Sequence, residues 1–199
     1  MKAGDALLPL TLAMALREVL QFPDPRLKRV CEPIEKIDDA IRELAADMLE
    51  VMYDEPGIGL AAPQVGEPVR LIVLDTEWTE EGAERSPLAL VNPEILERDG
   101  TITWTEGCLS VPDFQAEVER AQKVRVRGLD LDGNERTEEA EELRAVCLQH
   151  EIDHLDGVLF IDRISRLKRS MYVKKRKKAL KLEGEDEERP HPSKLGTSF

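Results

Sequence analysis

His150-Glu151-Ile152-Asp153-His154 constrains this chain more than any other stretch. An α-helix turns about 100° per residue, so side chains four apart share one face. Two imidazoles at that spacing can grip one cation from one side. Glu151, beside the first imidazole, is angled toward the same cation and can take a proton from a water bound there. The chain has only three histidines, and two of them stand here. The plain alternative is a surface helix that carries His and Glu by chance, so the remaining ligands must decide.

A catalytic site of this kind needs a third protein ligand and an open position. The pattern H-E-x-x-H-x-x-G-x-x-H is excluded, because Gly157 fits but Phe160 holds the last position. A glutamate on a following helix is no better. Residues 163–182 contain no acidic residue, and Glu183 opens a charged tail. His191 lies between prolines in that tail. The third ligand should therefore come from upstream, as a thiolate. Of the three cysteines, Cys147 lies one turn before His150 and reads as pocket or core. Cys31 has no motif around it and reads as a small buried hydrophobe. Cys108 differs. It follows an alternating strand in Glu106-Gly107-Cys108-Leu109-Ser110, and the glycine beside it permits a close backbone approach. An odd cysteine count without regular spacing argues against a disulfide scaffold.

A third segment, Gly57-Ile58-Gly59-Leu60-Ala61-Ala62-Pro63-Gln64, reads alone as a slim loop between a helix and an apolar strand. Taken with E-G-C-L-S and Q-H-E-I-D-H-L, in this order and spacing, it resembles peptide deformylase. The likeness runs from about Ala15 to Arg163 and includes Leu16-Arg17-Glu18-Val19-Leu20 and Pro23-Asp24-Pro25-Arg26-Leu27, similar to the start of bacterial members.

The resemblance implies removal of the formyl group from the N-terminal methionine of new polypeptides, with release of formate. It implies that Cys108, His150 and His154 hold a metal, with water as fourth ligand, and that Glu151 serves as general base and then acid. Gln64, through its amide, and Leu109, through its N–H, would meet the formyl oxygen. Ile58 and Gly59 would pair with the substrate peptide as an added strand. Leu143, Val146 and Cys147 fall with His150 on one helical stripe and, with Ile58, could line a methionine slot; ordinary core packing would give the same stripe. Many members carry an arginine where this chain aligns Gln115, which leaves peptide contacts beyond methionine less defined. One sulfur and two nitrogens would suggest zinc. The resemblance implies Fe2+ in cells, replaceable by Zn2+, Ni2+ or Co2+, and a site that loses activity in air.

Two other classes compete. A zinc endopeptidase shares H-E-x-x-H but lacks its usual third ligand here. A non-catalytic zinc module would want four protein ligands and no free base.

Acidic residues number 41 against 28 basic ones, for a net charge of −13. That opposes general nucleic-acid binding. The basic residues concentrate in 163–181, followed at once by Glu183, Glu185, Asp186, Glu187 and Glu188. The expectation is a solvated basic C-terminal helix with a disordered acidic end. The sharper reading, by resemblance to some bacterial members, is ribosome docking through that helix. Residues 6–16 are apolar but too short for a span of about 20 residues. They faintly suggest a secretion signal, which Asp5 opposes. A lone reactive thiolate needs a reducing compartment, so the expected location is cytoplasmic.

The expected architecture is α+β, with strands around a central helix that carries the metal motif; the resemblance makes the sheets largely antiparallel. Asp38 or Asp39 caps a helix to about Asp54, buried through Ile41, Leu44, Ala45, Met48 and Met52. Strands are expected over 69–74, 88–91, 100–105 and 124–131, the last closing at Asp132-Gly133-Asn134. The histidine helix spans about 141–155, and a last helix starts near Ser165. Residues 1–13 read as an extension, 14–165 as the catalytic domain and 166–199 as the basic helix and acidic tail.

Overall fold

The computed structural model of the chain describes residues 17–78 and 83–187, the last five as backbone only. The expected extension at 1–13, the short apolar stretch at 6–16 and the end of the tail lie outside the described residues.

Helix α1 (Asp39–Asp54) begins where the Asp38 carboxylate accepts the Ile41 N–H, at 3.2 Å. This satisfies one of the helix's unpaired amides. Its buried stripe is Leu44, Ala45, Met48, Val51 and Met52, with Ile41 only partly covered. The next strands are β1 (Gly59–Ala61), β2 (Leu71–Leu74), β3 (Leu88–Asp99), β4 (Ile102–Cys108), β5 (Val111–Arg120), β6 (Lys123–Leu129) and β7 (Glu135–Glu141). They form a five-stranded sheet in the order β1-β2-β3-β6-β7 and a separate β4-β5 hairpin, and every ladder between them is antiparallel.

Both faces of the larger sheet are covered near β1 and β2. Leu60, Leu71, Val73 and Val91 pack with α1, while Ala61, Ile72, Leu74 and Leu90 pack on the other side with helix α2 (Glu142–Leu155). This explains why Leu71-Ile72-Val73-Leu74 is apolar without alternation: successive side chains face opposite layers, and both layers are dry. From Ala145 to Leu155 every residue of α2 is buried. Such a helix carries its polar side chains into the interior, where each needs a partner or a ligand.

After α2 the chain turns at Gly157, whose φ is +69°. A Cβ there would stand 2.6 Å from the Lys28 carbonyl oxygen, so this position demands glycine twice over. The segment at 26–31 thus lies against the end of α2, and the Cys31 N–H donates to the Leu155 carbonyl at 2.8 Å. Helix α3 (Arg166–Glu187) attaches through Tyr172, which is buried and stacks on Phe114 with centroids 4.7 Å apart.

Two expectations need correction. The slim loop after α1 contains β1, which pairs with β2 in the register Gly59↔Leu74. β3 is three times the length expected, with a register break between Val91 and Glu94 around Asn92 and Pro93. Helix α3 continues through Glu183 and Glu185 to Glu187. Glutamate is a good helix former and extends a helix that is already nucleated.

Candidate metal centre and active site

Cys108 stands at the end of β4, where a register shift after Glu106 turns the strand toward α2. Its sulfur lies 3.3 Å from His154 Nε2. One ligand atom from each of Cys108, His150 and His154 falls within 4.8 Å of the others; among the described residues this is the one such cluster. The two imidazole centroids are 5.0 Å apart, as the four-residue helical spacing requires. Phe160, which occupies the position of an absent third histidine, stacks on His150 at 6.1 Å. The other two thiols are different in kind. Cys31 is buried in the sheet core, and burial pushes its thiol up to about 11. Burial likewise raises Cys147.

A chain of contacts fixes the first imidazole. His150 Nδ1 lies 2.7 Å from Glu106 Oε2. Arg120 grips Glu106 with two nitrogens, at 2.7 and 2.9 Å, and reaches Asp153 at 2.5 Å. Arg163 closes on Asp153 from the outside. Burial alone would raise the Glu106 pKa, but the bonds from Arg120 and His150 outweigh it and hold the carboxylate at about 2. With Nδ1 committed to Glu106, His150 has only Nε2 to offer a cation.

Glu151 is buried, and its Oε2 has no hydrogen-bond partner among the described residues. Burial pushes its carboxyl up to about 7, against the opposing charge of His150. A buried, unpartnered carboxylate oxygen beside a sulfur and two imidazoles fits a cation carrying water, so the residues suit a divalent metal. Gly59 lies directly against this group. A Cβ on Gly59 would stand 2.5 Å from Glu151 Oε1 and 2.7 Å from Cys147 Sγ.

Gln64 is fully enclosed in the short turn after β1. Its Oε1 accepts the Ala61 N–H at 2.8 Å, which turns Nε2 toward Ser110 Oγ at 3.1 Å and Cys108 Sγ at 3.6 Å. The amide therefore presents donors, not an acceptor, to the site. In front lies a cavity of about 900 Å³. Ile58, Leu109, Leu143, Val146, Cys147 and Trp104 all reach its wall.

Every site residue expected from the sequence lines this cavity except His154, which lies behind it against the Cys108 sulfur. Three others were not foreseen as participants: Glu106, Arg120 and Trp104. Alternation along β4 puts Trp104 and Glu106 on one face. On β5 the buried positions are Val111, Ala116, Val118 and Arg120. A charge on an inward-facing strand position is the signal that could have flagged Arg120.

A buried helix offering two imidazoles and a carboxylate, opposed by a cysteine sulfur from a hairpin and fronted by a cleft of mixed apolar and polar walls, defines a metal-dependent hydrolase. A family model described as polypeptide deformylase matches residues 16–170, and the chain belongs to that family. It is 55% identical over 168 residues to the peptide deformylase of Alkalilimnicola ehrlichii, covering 84% of this chain and 93% of that one. Among solved structures, a peptide deformylase from Legionella pneumophila has a TM-score of 0.78 at 43% identity, over 88% of this chain and 100% of that one. The Ehrlichia chaffeensis enzyme in complex with actinonin also has a TM-score of 0.78, at 40% identity over 83% and 98%.

Proposed function

We propose that this chain hydrolyses the formyl amide of N-formylmethionyl peptides, releasing formate and a free amino terminus. What supports this most is the convergence of Cys108, His150 and His154 beside an unpartnered Glu151 and the donor side of the Gln64 amide.

Cys108, His150 and His154 would hold a divalent cation, which would supply Lewis acidity and make water easier to deprotonate near neutral pH. Glu151 accepts the proton of the attacking water and returns it to the departing amine nitrogen. Gln64 Nε2 and the Leu109 N–H donate to the formyl oxygen as its negative charge develops. A donor of this kind is worth about 2.7–4 kcal/mol of barrier. The methionine side chain takes the apolar slot between Ile58, Leu143, Val146 and Cys147. The peptide adds to the free edge of β1, the terminal strand of its sheet. On the opposite, β2 side the Ile58 carbonyl already accepts the Asp75 N–H at 3.0 Å. A trans peptide points its C=O and N–H in opposite directions, so the Gly59 N–H faces away from β2 and toward the substrate.

We read the cation in cells as Fe2+, with Zn2+, Ni2+ or Co2+ able to replace it. Both ferrous iron and a thiolate are lost to air, so oxygen-free purification followed by metal analysis tests this. The cytoplasm suits the Cys108 thiolate, and no described helix is long and apolar enough to cross a membrane. Ribosome docking would use the exposed Lys168, Lys174, Lys175 and Lys178 of α3. Reversing those charges should reduce co-sedimentation with ribosomes; undiminished binding removes this partner.

Formate release from a formyl-Met tripeptide, measured against cleavage of a blocked casein peptide, tests the activity itself. Glu151→Ala should keep the metal and lose nearly all turnover, by about 100- to 10,000-fold. Casein cleavage without formate would favour an endopeptidase.

A further inference from the structure

The backbone that meets the substrate is itself held by a cluster behind it. Trp78 Nε1 donates to the Gly57 carbonyl at 2.9 Å. The Asp75 N–H donates to the Ile58 carbonyl, and the Gly57 N–H donates to Met52 O at 2.8 Å. The Trp78 ring meets Tyr53 edge-on, with centroids 5.2 Å apart and planes at 86°. The Arg85 guanidinium lies 4.0 Å over Tyr53 and 5.9 Å from Trp78. Tyr53 Oη donates to Asp75 Oδ2 at 2.8 Å, and the Ser86 N–H donates to the same oxygen at 2.7 Å. Loop residues after β2 are thereby tied to the end of α1, with the indole N–H as the tip of the assembly.

We infer that Trp78 is a positioning residue for peptide substrates. It does not reach the cavity wall, so it acts through Gly57. The Gly57–Ile58 peptide is a rigid plane with C=O and N–H on opposite sides. Fixing the carbonyl against the indole fixes the direction of the Ile58 N–H, which points away from the ring. The Asp75 bond does the same for the next plane and the Gly59 N–H. Two consecutive peptide planes are thus set from behind before any substrate arrives, which lowers the ordering cost of adding a strand. The ring stack holds Trp78 in one orientation: an edge-on aromatic pair prefers this geometry, and the arginine caps the Tyr53 face. The effect should fall on substrates that have a backbone beyond methionine and spare those that do not. This last step rests on reading the cleft as a formyl-Met peptide site; the positioning itself does not.

Trp78→Phe keeps most of the ring and removes the donor. In the metal-loaded protein, amide hydrogen exchange over 57–60 should speed up in this variant while exchange in α2 stays unchanged. KM for a formyl-Met tripeptide should rise about threefold to tenfold, the range for loss of one hydrogen bond. kcat and metal content should hold, and KM for formyl-Met alone should not move. Trp78→Ala, which also removes the stack, should raise the tripeptide KM further. Unchanged exchange over 57–60 overturns the positioning role whatever the substrate is. Faster exchange with equal losses on formyl-Met and on the tripeptide overturns the link to peptide binding. The exchange result stands even if no formate is released, which separates this inference from the proposed activity.

Discussion

Glu106 Oε2 sits 2.7 Å from His150 Nδ1, and this contact decides which ring nitrogen remains for a cation. The carboxylate is itself buried and clamped by Arg120. Neutralising it should loosen the imidazole and unbalance the guanidinium. Glu106→Gln is expected to lower metal affinity by about ten- to a hundredfold, the usual effect of removing an outer partner of a ligand. Chelator competition on the loaded protein measures it; a wild-type dissociation constant would show that the contact is dispensable.

Gly59 has no room for a methyl group. The nearest atoms are the Glu151 carboxylate and the Cys147 sulfur, both on a buried helix. Gly59→Ala must push α2 or the carboxylate aside. Overpacking of this kind costs about 1–3 kcal/mol. Urea unfolding should show that loss, together with a fall in formate release larger than the loss of folded protein explains. Full activity in a destabilised variant would mean that Glu151 has slack to move.

Gln64→Glu keeps an acceptor for the Ala61 N–H and removes the donors that face Cys108 and Ser110. kcat should drop about a hundredfold or more, as for other lost oxyanion donors. Metal content should be nearly unchanged. A drop in KM performance alone, with kcat intact, would assign Gln64 to binding instead.

Asp75 gives a pH prediction. Burial would raise its pKa, but the bonds from Tyr53, Ser86 and Glu77 prevail and hold it below the ordinary 3.8. A carboxylate depressed in the folded state contributes stability above its unfolded pKa and loses it as pH falls through the folded one. The stability gap between wild type and Asp75→Asn should therefore be full at pH 7 and shrink below about pH 3.8. Urea midpoints at the two ends of that window test it; a gap independent of pH would exclude the charge as its source.

Much of the fold was legible in the sequence because its signals are local. Asp38 before an apolar stripe gives α1, Asp132-Gly133-Asn134 closes β6, and the His pair demands a helix. The elements missed are those whose strands defy propensity. Gly59–Ala61 is short and made of residues that strands disfavour. Glu135–Glu141 is rich in glutamate, which suits an edge strand that must repel partners and resembles a loop in a linear reading. In β5, Pro112 and Asp113 hide the start of a ten-residue strand. The candidate ligands Cys108, His150 and His154, which lie within 4.8 Å of one another, were readable from spacing and residue type. The Arg120–Glu106–His150 relay was not, since it depends on the pairing of β4 with β5 and on where that hairpin meets α2.

Cys108 and His154 are 46 residues apart, one on a hairpin outside the main sheet and the other on a helix within the core. A cation held by both, as proposed, would fasten two parts of the molecule that the backbone ladders leave unjoined. Stripping it should do more than silence the site. Heat should then separate the hairpin from the helix first, so that the apoprotein melts less cooperatively and at lower temperature than the loaded form.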